Sequence, residues 1–145
     1  MSQPKLNFPP CDIPERDGRL WDDLRRMWLP ATPEERVRRR LAAWLVSELG
    51  MDRGLIVQEY AFMLGAKPFR ADVVCFSTSR EPLLLVECKA PDVTLDGDVL
   101  AQAVKYNSVV RARYLMLTNG LKHYFFERTP DGGHRQIDAL PQVRP

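Results

Sequence analysis

The stretch Leu83-Leu84-Leu85-Val86-Glu87-Cys88-Lys89 decides how this chain is read, because an apolar run of the buried-strand kind ends in a carboxylate and an ammonium two residues apart. Charge in such a run is costly unless it is paired or holds a metal. With a strand period of two, Glu87 and Lys89 point to one sheet face, together with Leu85. The preceding run, Phe69 to Phe76, is also rich in β-branched and aromatic residues, and it carries Asp72 within Arg70-Ala71-Asp72-Val73-Val74. A hairpin whose turn is centred between Ser79 and Arg80 sets Phe76 against Leu83, Val74 against Leu85 and Asp72 against Glu87. Facing residues have Cβ atoms about 4.5–5.5 Å apart, where two like charges repel each other.

Something must offset that repulsion. A hard divalent cation does so: Mg²⁺ takes oxygen ligands, is usually held by one or two carboxylates, and keeps waters that can become nucleophiles. Lys89, beside the same site, would then stabilise charge developing on a phosphate oxygen or help deprotonate the attacking water. The structural alternative is an internal ion pair in which Lys89 bridges Asp72 and Glu87. Three charges on one sheet face fit a core poorly, since apolar replacements would serve a core as well or better.

The rest of the chain supplies the frame. Thr32-Pro33-Glu34-Glu35 marks a helix start: Thr32 caps, Pro33 takes the first helical position, and Glu35 follows three residues after the cap. The helix runs to about Leu49 with Val37, Leu41, Trp44, Leu45 and Leu49 on one face, and Gly50 closes it. Strands are predicted over 55–60, 69–76 and 83–89, a second helix over about 98–110, and two further strands over 114–118 and 123–127 around Asn119-Gly120. The tail after Thr129 reads as turns. Residues 1–30, with Pro4, Pro9, Pro10, Pro14 and Pro30, read as an extended arm on or beside the core, with one helical turn through Leu20, Trp21, Leu24 and Trp28.

Composition narrows the function classes. The 145 residues are 45% hydrophobic and 28% charged, as in a globular domain rather than a disordered, collagen-like or coiled-coil chain. No apolar run spans a bilayer, and the N-terminus MSQPKLNFPP lacks a signal-like apolar region, so a soluble, cytoplasmic, non-membrane protein is expected. The three cysteines, Cys11, Cys75 and Cys88, form neither a disulfide framework nor a zinc pattern. The net charge of +2 is too small to identify a nucleic-acid binder by itself.

Asp72 followed by Glu87-Cys88-Lys89 resembles the D…(D/E)xK signature of the PD-(D/E)xK nuclease superfamily. More specifically, the chain is similar to the small bacterial proteins related to the N-terminal domain of the type I restriction enzyme R subunit. The similarity covers Leu6-Asn7-Phe8-Pro9, Thr32 to Arg38, Asp72, Glu87 to Pro91, Gln102 with Tyr106-Asn107, and Thr118-Asn119-Gly120. It implies an α/β, restriction-endonuclease-like α-β-β-β-α-β core with a mixed sheet, formed by residues 31–145. It also implies Mg²⁺, or Mn²⁺ in its place, bound by Asp72, Glu87 and the backbone carbonyl of Cys88, with Lys89 as the catalytic lysine. Gln102 and Tyr106, at i and i+4, share a helix face that reaches the site or the substrate backbone. A first-helix glutamate is expected near the metal; Glu34 falls on the sheet-facing stripe with Val37 and Leu41, whereas Glu35 points aside and serves the capping box.

Arg38, with Arg36, Arg39 and Arg40 and with Arg25 and Arg26 upstream, is a candidate for contact with DNA phosphates. Trp21, Trp28 and Trp44 read as packing on helix faces, and His123 and His134 as structural or surface residues. The expected function is a metal-dependent endonuclease hydrolysing DNA; the alternative is a nuclease-fold module that binds nucleic acid or protein without cutting. A double-strand cut calls for two sites and hence a homodimer. The chain has no GxxxxGK[ST] loop, so a motor would be a separate protein, as would a specificity protein.

Overall fold

The structure is a computed structural model that describes residues 3–143. Its first helix, α1 (Pro33–Ser47), starts as the sequence predicts: Thr32 is extended, and its hydroxyl accepts from the Glu35 N–H. Gly50, at φ 74°, turns the chain away beyond its C-terminus. The second helix, α2 (Gly97–Val110), is capped by Asp96, whose carboxylate accepts from the Asp98 and Val99 N–H groups.

Between and after the helices run six strands: β4 (Ile56–Leu64), β5 (Lys67–Phe76), β6 (Pro82–Cys88), β7 (Tyr114–Thr118), β8 (His123–Arg128) and β9 (His134–Ile137). They form one sheet in the order β4-β5-β6-β7-β8-β9. All neighbours are antiparallel except β6 and β7, which are parallel and joined through α2. This is the expected α/β core of helix, three strands, helix and strand, with a mixed sheet between helices.

Each sheet face carries its own core. On one, Val37, Leu41 and Leu45 of α1 pack with Val73, Cys75, Leu84, Val86, Cys88 and Met116. On the other, Ala103, Tyr106 and Val110 of α2 pack with Val74, Leu85, Leu115 and Leu117. Alternate residues of β5 and β6 therefore go to opposite helices, which is why Leu83 to Val86 reads as a continuous apolar run.

The structure corrects several expectations. Residues 15–30 form no helical turn; β1 (Glu15–Arg16), β2 (Arg19–Asp22) and β3 (Met27–Pro30) make a separate three-stranded antiparallel sheet. Its first hairpin closes on Asp17-Gly18, both at positive φ (51° and 72°), as a two-residue turn requires. That dipeptide is the signal that the proline count obscured. The tail also contains β9, paired with β8. In the β5–β6 hairpin the facing pairs Val74 with Leu85 hold, but an irregularity between Cys75 and Phe76 sets Phe76 against Pro82 instead of Leu83. Among the described residues no helix is long and apolar enough to cross a membrane.

Candidate functional site

Pairing between β5 and β6 stops at Val73 and Val86, one residue short of Asp72 and Glu87. There, side-chain oxygens take over from ladder carbonyls. The Cys88 N–H donates to Asp72 Oδ2 at 2.7 Å, and the Asp72 N–H points at Glu87 Oε1 at 3.4 Å. Each carboxylate thus reaches the opposite strand's backbone, and the two acids meet where the strands begin to part.

Glu87 is only 6% exposed. Its carboxyl is pushed up to about 9, first by burial and then by the neighbouring Asp72 charge; the positive charge of Lys89 pulls the other way. The fold thus favours the protonated form of Glu87 beside Asp72. Lys89 continues from β6, with its N–H bonded to the Thr118 carbonyl, and is partly exposed. Among the described residues its ammonium forms no ion pair, so the lysine bridge of the structural alternative is not how the acids are compensated.

The compensating cation is Arg38. Its guanidinium lies 3.3 Å from Asp72 Oδ1, 2.6 Å from Glu35 and 3.3 Å from Glu34. The side chain is 11% exposed, and its Nε has no partner. The two glutamates sit otherwise than expected: the Glu35 side chain is 9% exposed and that of Glu34 is 44% exposed. The capping box is only half made. Thr32 accepts from the Glu35 N–H, but the Glu35 carboxylate goes to Arg38 and Arg39, and the Thr32 N–H donates to the Pro30 carbonyl.

The reason lies in the small N-terminal sheet, which gives α1 a second buried stripe. Arg39, 3% exposed, is held by Asp22 at 2.5 Å, by Glu35 at 2.8 Å and by Gln58 of β4. Asp22 also accepts from Gln58 and Arg25. A chain of charges thus runs from Asp22 through Arg39, Glu35 and Arg38 to Asp72. The other arginines of the run are likewise engaged internally: Arg36 with Glu15, and Arg40 with the Phe8 and Pro9 carbonyls. All four arginines of the run thus have partners within the chain.

From the other side, α2 presents Tyr106 among Phe62 and Phe69, at ring separations of 5.2 and 5.4 Å. Its hydroxyl is pushed up by burial and then by the charges of Glu87 and Asp72. Gln102, one turn earlier, is exposed, and among the described residues its side chain makes no hydrogen bond within the chain. The Cys88 thiol is fully buried, and burial raises it well above its ordinary value, so only its backbone is available to a ligand. Among the described residues no cluster of three or more His, Cys, Asp or Glu forms an all-protein metal cage.

A solved structure agrees with this architecture. A fragment of an HsdR subunit of a type I restriction enzyme from Vibrio vulnificus YJ016 is similar over 76% of this chain and 24% of its own, with 22% identity and a TM-score of 0.56. The type IIG restriction endonuclease BpuSI is similar over 74% of this chain and 12% of its own, with 19% identity; its TM-score of 0.47 is too low to bear on the fold. The chain thus spans about a quarter or less of the length of these proteins. No curated protein matches the sequence. The description "type I restriction enzyme R protein N terminus" matches residues 33–141, a segment that contains α1, Asp72, Glu87, Lys89 and α2. Since that segment is well over half of the sequence, this chain belongs to the family of the type I restriction enzyme R protein N terminus.

Proposed function

We propose that this protein is a metal-dependent endonuclease hydrolysing DNA phosphodiester bonds, with residues 31–145 as the nuclease-like domain and residues 1–30 as its arm. The observation that carries the reading is the meeting of Asp72 and Glu87 at the end of the β5–β6 ladder, where burial and the Asp72 charge both favour the neutral form of Glu87. Such a pair suits Mg²⁺ or Mn²⁺, which bind through one or two carboxylates and keep several waters rather than needing a full protein cage. When bound, the ion would polarise the scissile phosphate and supply an activated water.

The chain's own groups take the remaining roles. Asp72, Glu87 and the Cys88 carbonyl hold the ion, and Lys89 neutralises charge on the phosphate. Arg38 leaves Asp72 for a phosphate oxygen, with Glu34 marking the rim of the site. Gln102 and Tyr106 position the substrate backbone from α2. The partners follow from the family: DNA, a second copy for a double-strand cut, and separate motor or specificity proteins, in the cytoplasm.

The test is divalent-dependent nicking or cleavage of DNA by the purified chain, with Lys89→Ala and Asp72→Ala proteins whose circular dichroism matches the parent. Activity is expected to vanish in both. Cleavage that persists in both folded variants refutes the proposal.

A further inference from the structure

The small sheet lies outside the matched segment, and its two faces differ. Leu20 and Asp22 of β2 are buried, and Asp22 pairs with Arg39 of α1, so this is the inner face. By strand alternation the outer face carries Arg16, Arg19, Trp21 and Trp28. Trp21 and Trp28 are direct cross-strand partners with ring centroids 5.2 Å apart, and neither indole joins either hydrophobic core. The Arg16 guanidinium lies over Trp28 at 5.8 Å, and that of Arg26 over Trp21 at 5.6 Å.

These arginines contrast with those of α1. Arg16 and Arg19 are exposed, and among the described residues neither forms an ion pair. Arg26 reaches Asp23 only at 3.9 Å, with both side chains largely exposed, and Asp23 is already engaged by Arg53. The face therefore offers two adjoining, half-buried aromatic rings flanked by three arginines, of which Arg19 has neither an ion pair nor a ring partner, while Arg16 and Arg26 lie over the indoles and would move aside for a stacked base.

We propose that this face is a docking surface for single-stranded DNA, with bases stacking on Trp21 and Trp28 and phosphates meeting Arg16, Arg19 and Arg26. Unpaired positive charge selects an anion, and side-by-side indoles select flat π-faces. A single strand supplies both, whereas a duplex hides its base faces inside the stack. The choice of DNA as the polymer rests on the proposed function. The sheet is also linked to the candidate site through Asp22, Arg39, Glu35 and Arg38, so a strand docked there lies on an element packed against the helix whose Arg38 braces Asp72.

The test is titration of the full chain with oligo-dT in EDTA, where no cleavage enters, followed by intrinsic tryptophan fluorescence and by the anisotropy of a labelled strand. Quenching is expected. The slope of log affinity against log salt should fall by about 0.7 in each of Arg16→Gln and Arg19→Gln. Trp28→Leu should weaken binding about tenfold and reduce the quenching to the share contributed by Trp21. If Trp28→Leu does not fold, the two exposed arginine variants decide the matter. Parent-like affinity and salt slope in those variants would overturn the proposal, as would tighter binding of oligo-rU or of duplex DNA. Binding that follows the expected pattern while Mg²⁺ yields no cleavage supports this surface and refutes the nuclease reading, so the two failures are distinguishable.

Discussion

Glu87→Gln isolates the ionisation of the buried acid, because glutamine keeps the shape of the side chain and can still accept from the Asp72 N–H. The ordinary value for this carboxyl is 4.5, and the fold raises it to about 9. Below pH 4.5 native and unfolded chains both carry the proton, so substitution changes little there. Between the two values the unfolded chain releases the proton and the native protein keeps it, so native stability falls as pH rises. Each unit is worth about 1.4 kcal/mol, so at pH 7 the parent has lost about 3 kcal/mol that the glutamine variant retains. Glu87 is too buried for solvent to screen away most of this. Urea unfolding in EDTA at pH 5, 6, 7 and 8 reads it directly: the midpoint of Glu87→Gln should rise relative to the parent with increasing pH, at unchanged slope. A difference independent of pH would refute the reasoning. A variant less stable by several kcal/mol would do so as well, since that is the signature of an ionised, well-paired Glu87 in a structural ion cluster.

Arg39→Met removes the buried cation that Asp22 and Glu35 share, leaving Asp22 with Arg25 and Glu35 with Arg38, and should cost about 2–3 kcal/mol, whereas Arg36→Met, which removes a half-exposed pair with Glu15, should cost much less in the same denaturation assay. Equal costs would show that burial does not separate the two arginines. Gly120→Ala places a methyl 2.7 Å from Leu6 Cδ2 and 2.9 Å from Val37 Cγ2 at φ +85°, while Gly65→Ala meets open space at φ +62°. Thermal melts should show the first more destabilising than the second, whose conformational strain alone is worth about 1 kcal/mol; a reversed or equal order would mean that the Leu6 and Val37 side chains yield to the added methyl.

The core and the acidic pair were legible in the chain because both are local patterns. Thr32-Pro33 carries its own capping chemistry, the runs at 69–76 and 83–89 carry a strand period, and a single hairpin brings Asp72 to Glu87. The parallel pairing of β6 with β7 also follows once α2 must cross between them. What tertiary structure alone decided is the company these residues keep. Glu34 and Glu35 are adjacent and chemically alike, and helical periodicity against one sheet favours Glu34 as the inward residue. The buried one is Glu35, because a second sheet, folded from an arm whose prolines suggested an extended chain, covers another stripe of α1 and brings Asp22 to Arg39. The same packing turns an arginine run from a free basic face into internal partners and gives Asp72 its counter-ion in Arg38. Periodicity reports which side of an element is apolar; which charges neutralise one another depends on distances between segments far apart in the chain, and those exist only once the layers have assembled.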